Sequence, residues 1–143
     1  MASVTIQTSP QGGAYTVHLH IARDLTLQVG SLGNIFLPAG NYAYIGSARS
    51  GIAQRVARHY RLAESKTGKK HWHIDYLLTH PEVELIRIET HADGRECSIA
   101  HQVASKPETS IPVPRFGSSD CRDGCAAHLF RIKKPSNVRR YSI

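Results

Sequence analysis

The sequence predicts an α+β domain, a small and mostly antiparallel β-sheet flanked by helices. Period-two alternation dominates the first third of the chain, as in Ala14-Tyr15-Thr16-Val17-His18-Leu19-His20-Ile21. In the middle, Ile52, Val56, Tyr60 and Ala63 recur at helical spacing. A chain of 143 residues, 41% hydrophobic and 20% charged, has the composition of one globular domain with a real core.

Residues 1–12 read as a lead-in, 13–132 as the domain and 133–143 as a basic flexible tail. The strand from Gly13 is followed by a turn at Asp24 and a second alternating run, Leu25, Leu27 and Val29. Gly30 and Gly33 bound the next turn before Ile35-Phe36-Leu37, and Pro38 to Asn41 form a loop. Tyr42 to Ile45 form a short strand stopped by Gly46, so the first third is a β-meander. A helix covers Gly51–Ala63, and a second over 70–79 ends before Pro81. Val83, Leu85, Ile86 and Ile88 indicate a strand. Asp93 is the N-cap of a third helix reaching about Ala104, with Lys106-Pro107 beyond it. Ile111 to Phe116 is broken by proline, and Ala127 to Ile132 form the last strand.

No apolar run approaches the ~20 residues needed to span a bilayer, and the first ten residues lack a signal pattern. The expected compartment is the cytosol. The formal net charge is +7 and is unevenly spread. From Arg49 to Lys70, seven basic side chains face Glu64 alone, and five more from Arg131 onward face no acid. The body is mildly acidic by difference. This asymmetry points to a polyanion, with nucleic acid ahead of a membrane surface because no apolar anchor accompanies the charge, or else is solvated charge that serves solubility.

Four constellations carry possible chemistry. Arg55 and His59 are i and i+4 and border the apolar stripe of their helix, where a guanidinium can hold a phosphate. Alternatively they are boundary residues whose stems cover core. Glu96 aligns with Ile99, Ala100 and Val103 on an apolar face, where a carboxylate needs a partner such as a divalent cation. Its spacing from Asp93 also fits a capping box. Cys97, Cys121, Cys125 and His128 allow a Cys₃His zinc site, or are thiols in a reducing compartment. His71-Trp72-His73-Ile74-Asp75-Tyr76, after Lys69-Lys70, mixes a lone Trp with polar groups suited to base stacking or phosphate contact, or buries Trp72 in a helix capped by Asp75.

Gly13-Ala14-Tyr15 on one strand, Tyr44-Ile45-Gly46 on another, and helical Arg55 and His59 together resemble the GIY-YIG nuclease superfamily. A closer resemblance is to a small stand-alone branch of it. Tyr42 to Ala48, Trp72 to Leu77, Glu96-Cys97 and Phe116 to Cys121 occur here in that branch's order. The resemblance spans about Gly13 to Arg131. Ser47 stands where many relatives carry Lys, so Arg49 or Lys70 would supply that charge.

The resemblance implies metal-dependent phosphodiester hydrolysis on DNA or RNA, DNA ahead, by an endonuclease. Glu96 would hold one Mg²⁺ or Mn²⁺, and Arg55 would neutralise charge growing on phosphorus. Tyr15 and His59 would share proton transfer while Tyr44 supports position. Cations would have to bring a tyrosine down by about 3 units for it to act as a base near pH 7, whereas a histidine is already near neutrality. Arg49, Arg58, Lys69, Lys70 and His73 are the candidates for contacting substrate. The rival readings are a non-catalytic nucleic-acid-binding module of the same fold and a zinc-stabilised interaction domain.

Overall fold

The computed structural model describes residues 13–92, 95–117 and 127–133. The expected lead-in lies outside them, as do Asp93, Cys121, Cys125 and all of the expected tail except Lys133. The elements are β1 (Gly13–Ile21), β2 (Leu25–Val29), β3 (Gly33–Leu37), β4 (Gly40–Ala48), α1 (Ile52–Ser65), α2 (His73–Leu78), β5 (Val83–Ala92), α3 (Glu96–Ala104), β6 (Thr109–Ser110) and β7 (Leu129–Ile132). The main sheet runs β5-β1-β4-β7-β6 with every neighbouring pair antiparallel, and β2 and β3 form a separate hairpin. The architecture is α+β, as its alternation patterns predict. Among the described residues, no helix is long and apolar enough to cross a membrane.

The first third is not a meander. β1 pairs along its whole length with β4 on one side and β5 on the other, while β2 pairs with β3. Alternation specifies which face a side chain takes but not which strand lies beside it. Tyr15, Val17, Leu19 and Ile21 project to one face of the sheet, where they join Val56 and Leu62 of α1 and Ile74 and Leu77 of α2 in one core. Burying each such large apolar side chain is worth about 1.5–3 kcal/mol. The opposite face is covered by α3, whose Ala100 packs with Ile45 and Phe130. The sheet is thus flanked on both faces.

Two local departures have clear causes. Gly46 does not end its strand, because β4 runs through it to Ala48 with Gly46 opposite Tyr15. In β5 the register to β1 shifts between His18 and Leu19, where Arg87 and Leu85 are the partners. Ile86 is therefore the extra residue of a bulge, and it is 49% exposed rather than in the core.

Polar side chains fix the helices. The buried Asp75 carboxylate receives both guanidinium nitrogens of Arg58 at 3.0 Å and the backbone N–H groups of His71 and Trp72 at 2.7 and 3.0 Å. Burial alone would raise its pKa, but these bonds hold it below the ordinary value. This bidentate pair ties α1 to the start of α2. Lys66, left-handed at φ 61°, ends α1 and sends its ammonium to the carbonyls of Leu78, His80 and Val83. Two members of the basic segment thus act inside the fold.

Candidate active site

One cavity of about 250 Å³ gathers side chains from every layer of the domain. Tyr15 comes from β1, Tyr44 and Ser47 from β4, Arg55 from α1, and Trp72 from the residue before α2. Glu96, the first residue of α3, and His128, just before β7, complete its polar wall. Of the five residues expected to carry chemistry, Tyr15, Tyr44, Arg55 and Glu96 line the cavity. His59 does not. It is fully buried behind Tyr15.

Glycine makes room for the tyrosines. A Cβ at Gly46 would sit 2.5 Å from the Tyr15 ring, so only glycine lets that ring lie across β4. Gly117, at φ 74°, stands in the same relation to Tyr44, with a Cβ position 2.8 Å from its ring. The first glycine belongs to the Tyr-Ile-Gly motif and the second to the Phe116 to Cys121 block.

The Glu96 carboxylate is held at both oxygens. Ser47 Oγ donates to Oε1 at 2.8 Å, and His128 Nδ1 lies 3.0 Å from Oε2. Arg55 Nη1 donates to the Ser47 carbonyl at 3.0 Å, which brings its charge into the same wall. Burial pushes the Glu96 pKa up, but His128, Ser47 and Arg55 outweigh it and keep the carboxyl ionised. The capping-box alternative does not describe this residue. α3 begins at Glu96 with Arg95 as N-cap, and the carboxylate reaches across to β4 and His128.

An ionised carboxylate, fixed in orientation and facing a polar cavity, fits one hard divalent cation bound mainly through water and substrate oxygens. Among the described residues no three His, Cys, Asp or Glu side chains group as a metal site. Glu96 would be the protein's principal ligand.

Behind this wall, Tyr15 Oη and His59 Nε2 form a buried hydrogen bond of 2.8 Å. Burial pushes the Tyr15 phenol up to about 12 despite the Arg55 guanidinium, and it raises Tyr44 well above its ordinary value. Burial, with the charges of Arg58 and Arg55, lowers His59 to about 4 although Asp75 opposes the shift. Both values reverse the sequence-based expectation: the cations do not bring a tyrosine towards neutrality, and the histidine is not poised near it. Desolvation of the charged forms dominates both groups. His59 Nδ1 has no hydrogen-bond partner among the described residues.

A family model described as Domain of unknown function DUF123 matches residues 14–143. The chain belongs to the DUF123 family. That match includes every residue lining the cavity, from Tyr15 to His128. No curated protein and no solved structure matches the chain.

Elsewhere on this DUF123 chain the expected substrate contacts divide. Arg49, Lys69 and Lys70 are exposed. Lys70 Nζ lies 5.9 Å from the Tyr76 ring centroid, and neither it nor Arg49 lines the cavity. Arg58 is committed to Asp75, and His73 Nδ1 accepts the Gly117 N–H at 2.8 Å. The cation beside Ser47 is Arg55, not Arg49 or Lys70. Trp72 is not buried in its helix. It stands 39% exposed at the cavity, with the Arg55 and Arg58 guanidinium carbons 4.3 and 4.8 Å from its ring centroid. Of the proposed zinc ligands, Cys97 Sγ lies 3.8 Å from His128 Nε2, while Cys121 and Cys125 fall outside the described residues.

Sequence reasoning misses Ser47 and the pairing of His128 with Glu96. Ser47 stands out in the sequence as a member of the Tyr42 to Ala48 stretch and His128 as a zinc candidate, neither of them as a partner of Glu96. Their roles depend on β4 and the start of β7 meeting at the N-terminus of α3, which no sequence spacing encodes.

Proposed function

We propose that this cavity is the active site of a metal-dependent endonuclease that hydrolyses phosphodiester bonds of nucleic acid in the cytosol. The observation that supports this reading is the convergence of two tyrosines, one arginine and one ionised carboxylate on the lining of a single cavity. Such a set can bind a phosphodiester, neutralise its charge and move a proton.

Glu96 would hold Mg²⁺ or Mn²⁺, which when bound would supply positive charge to offset that of the phosphodiester. Arg55 binds the phosphate and stabilises the charge that grows during attack by water. Tyr15 would orient that water and take its proton while passing its own to His59, in the tautomer whose Nε2 accepts from the hydroxyl. As the new P–O bond forms, the P–O bond to the leaving oxygen breaks and that oxygen takes a proton from solvent. A tyrosine at about 12 is not ionised at rest, so it works as one half of a pair whose acceptor is already neutral. Tyr44 supports position. The roles of Arg49, Lys69 and Lys70 are to draw the polyanion in, which makes binding weaken with salt.

The test is incubation of labelled single- and double-stranded DNA and RNA with Mn²⁺ or with EDTA, for wild type and Glu96→Ala. Cleavage by wild type in Mn²⁺ alone is expected. No product from any substrate, or cleavage that survives Glu96→Ala, overturns the reading.

One contact favours a second reading, a non-catalytic nucleic-acid-binding module carrying zinc. Cys97 and His128 already lie together. Stoichiometric zinc by elemental analysis, unfolding on chelation, and salt-sensitive binding without cleavage would establish it.

A further inference from the structure

We infer that the substrate is an unpaired strand, and that Trp72 is the platform on which the nucleotide beside the scissile phosphate stacks. This inference rests on the nuclease reading of the cavity and adds the class of nucleic acid it takes.

Trp72 takes no part in either hydrophobic core. Its backbone is pinned by Asp75 and its ring lies against the guanidinium groups of Arg55 and Arg58. The indole is thus held at a fixed place on the cavity wall, and a base would stack on the part of it that stays exposed. A large exposed aromatic held beside Arg55 and Glu96 meets whatever is attached to a bound phosphate. In a duplex the bases already stack on one another, and only their edges reach the grooves. An unpaired base presents its π-face, and base-on-aromatic stacking tolerates any sequence.

A second observation extends the path. A cleft of about 370 Å³ lies between the second half of α1 and the following loop, lined by Arg58, Arg61, Lys69 and His71 among others and by no acid. Arg58 borders both this cleft and the Trp72 ring, so the cleft adjoins the platform. Arg58 is neutralised by Asp75, but Arg61 and Lys69 have no acidic partner among the described residues. A narrow basic track leading to an aromatic platform and then to a phosphate site is how a single strand is held: charge follows the backbone and the ring takes a base.

Trp72 is the chain's only tryptophan, so its fluorescence reports this position alone. The full chain in EDTA is titrated with a mixed-sequence 12-nucleotide DNA strand, the RNA strand of the same sequence, and the blunt DNA duplex. Quenching by a single strand is expected, with affinity about 10-fold or more above that of the duplex. Trp72→Ala, followed by anisotropy of the labelled strand, should weaken single-strand binding about 10-fold, and Trp72→Phe should restore most of it. Arg61→Ala with Lys69→Ala should flatten the salt dependence by roughly 0.7 in log–log slope for each phosphate that is no longer neutralised. The DNA and RNA arms identify the sugar. Equal affinity for the duplex, single-strand binding without quenching, or wild-type binding by Trp72→Ala overturns the inference. Cleavage of duplex in Mn²⁺ with Trp72→Ala unaffected overturns it too, yet leaves the nuclease standing. Quenching with no cleavage of any substrate in Mn²⁺ instead overturns the nuclease reading and, with it, the assignment of substrate.

Discussion

Tyr15 Oη lies 2.8 Å from His59 Nε2, and His59 has no exposed surface at all. A histidine in that position cannot touch substrate, so whatever it does is done through the tyrosine. Tyr15→Phe keeps the ring over Gly46 and removes only the hydroxyl. It should lower metal-dependent cleavage by roughly 10²–10⁴-fold, the range for a general acid–base group. It should also cost about 1–3 kcal/mol of stability, because His59 Nε2 loses its buried partner. Single-turnover cleavage and urea unfolding measure the two effects separately. Wild-type cleavage by Tyr15→Phe would remove Tyr15 from the proton path.

His59 also makes stability depend on pH. Its folded value is about 4, against an ordinary histidine value of 6.5. Between those values the unfolded chain binds a proton that the folded chain refuses, so stability rises with pH across that window. The contribution is complete above 6.5 and falls by about 3 kcal/mol as the pH drops to 4. Asp75 and Glu96 are held below their ordinary values, so their contributions are present above the unfolded carboxylate range and are lost as pH falls through their folded values. Urea unfolding from pH 7 to 4.5 should show the slope in wild type and lose most of it in His59→Gln. An unchanged slope would mean that the imidazole is hydrated in solution.

The Asp75–Arg58 pair is buried at its acidic end, with Arg58 partly exposed. Removing the guanidinium leaves a carboxylate with two backbone donors in place of four bonds. Arg58→Ala should therefore destabilise the domain by about 3 kcal/mol, or roughly 6–12 °C in melting temperature. Calorimetry checks this. A shift under about 2 °C would show that the pair contributes position rather than stability.

Gly46→Ala tests the packing that places Tyr15. The new methyl would meet the ring at 2.5 Å, with the antiparallel β1–β4 ladder limiting any retreat. A cost of about 1–3 kcal/mol from overpacking is expected, along with loss of cleavage as the hydroxyl moves from His59. Cleavage at the wild-type rate would show that the hydroxyl position does not matter.

Holding Glu96 is a separate matter from carrying its charge. Ser47→Ala frees one oxygen while Arg55 still reaches the residue 47 carbonyl. It should raise the Mn²⁺ concentration needed for half-maximal cleavage about 10-fold, the low end for loss of a supporting partner. A metal titration of both proteins decides it, and an unchanged midpoint would assign Ser47 no part in orienting the carboxylate.

The elements were legible in the sequence where a local pattern determines them. Alternation along Ala14 to Ile21 makes a strand with two different faces, and Ile52, Val56 and their helical neighbours make one side of α1 apolar. Glu96 stood out because Ile99, Ala100 and Val103 marked its face as one that packs. What only tertiary structure decided was pairing and environment. It chose β4 and β5 as the neighbours of β1, exposed Ile86 on a bulge, and brought Ser47 and His128 to Glu96. It also turned Tyr15 and His59 away from neutrality in opposite directions. Side-chain periodicity is written over a few residues, whereas desolvation depends on atoms contributed by distant segments, and those meet only when the chain has folded.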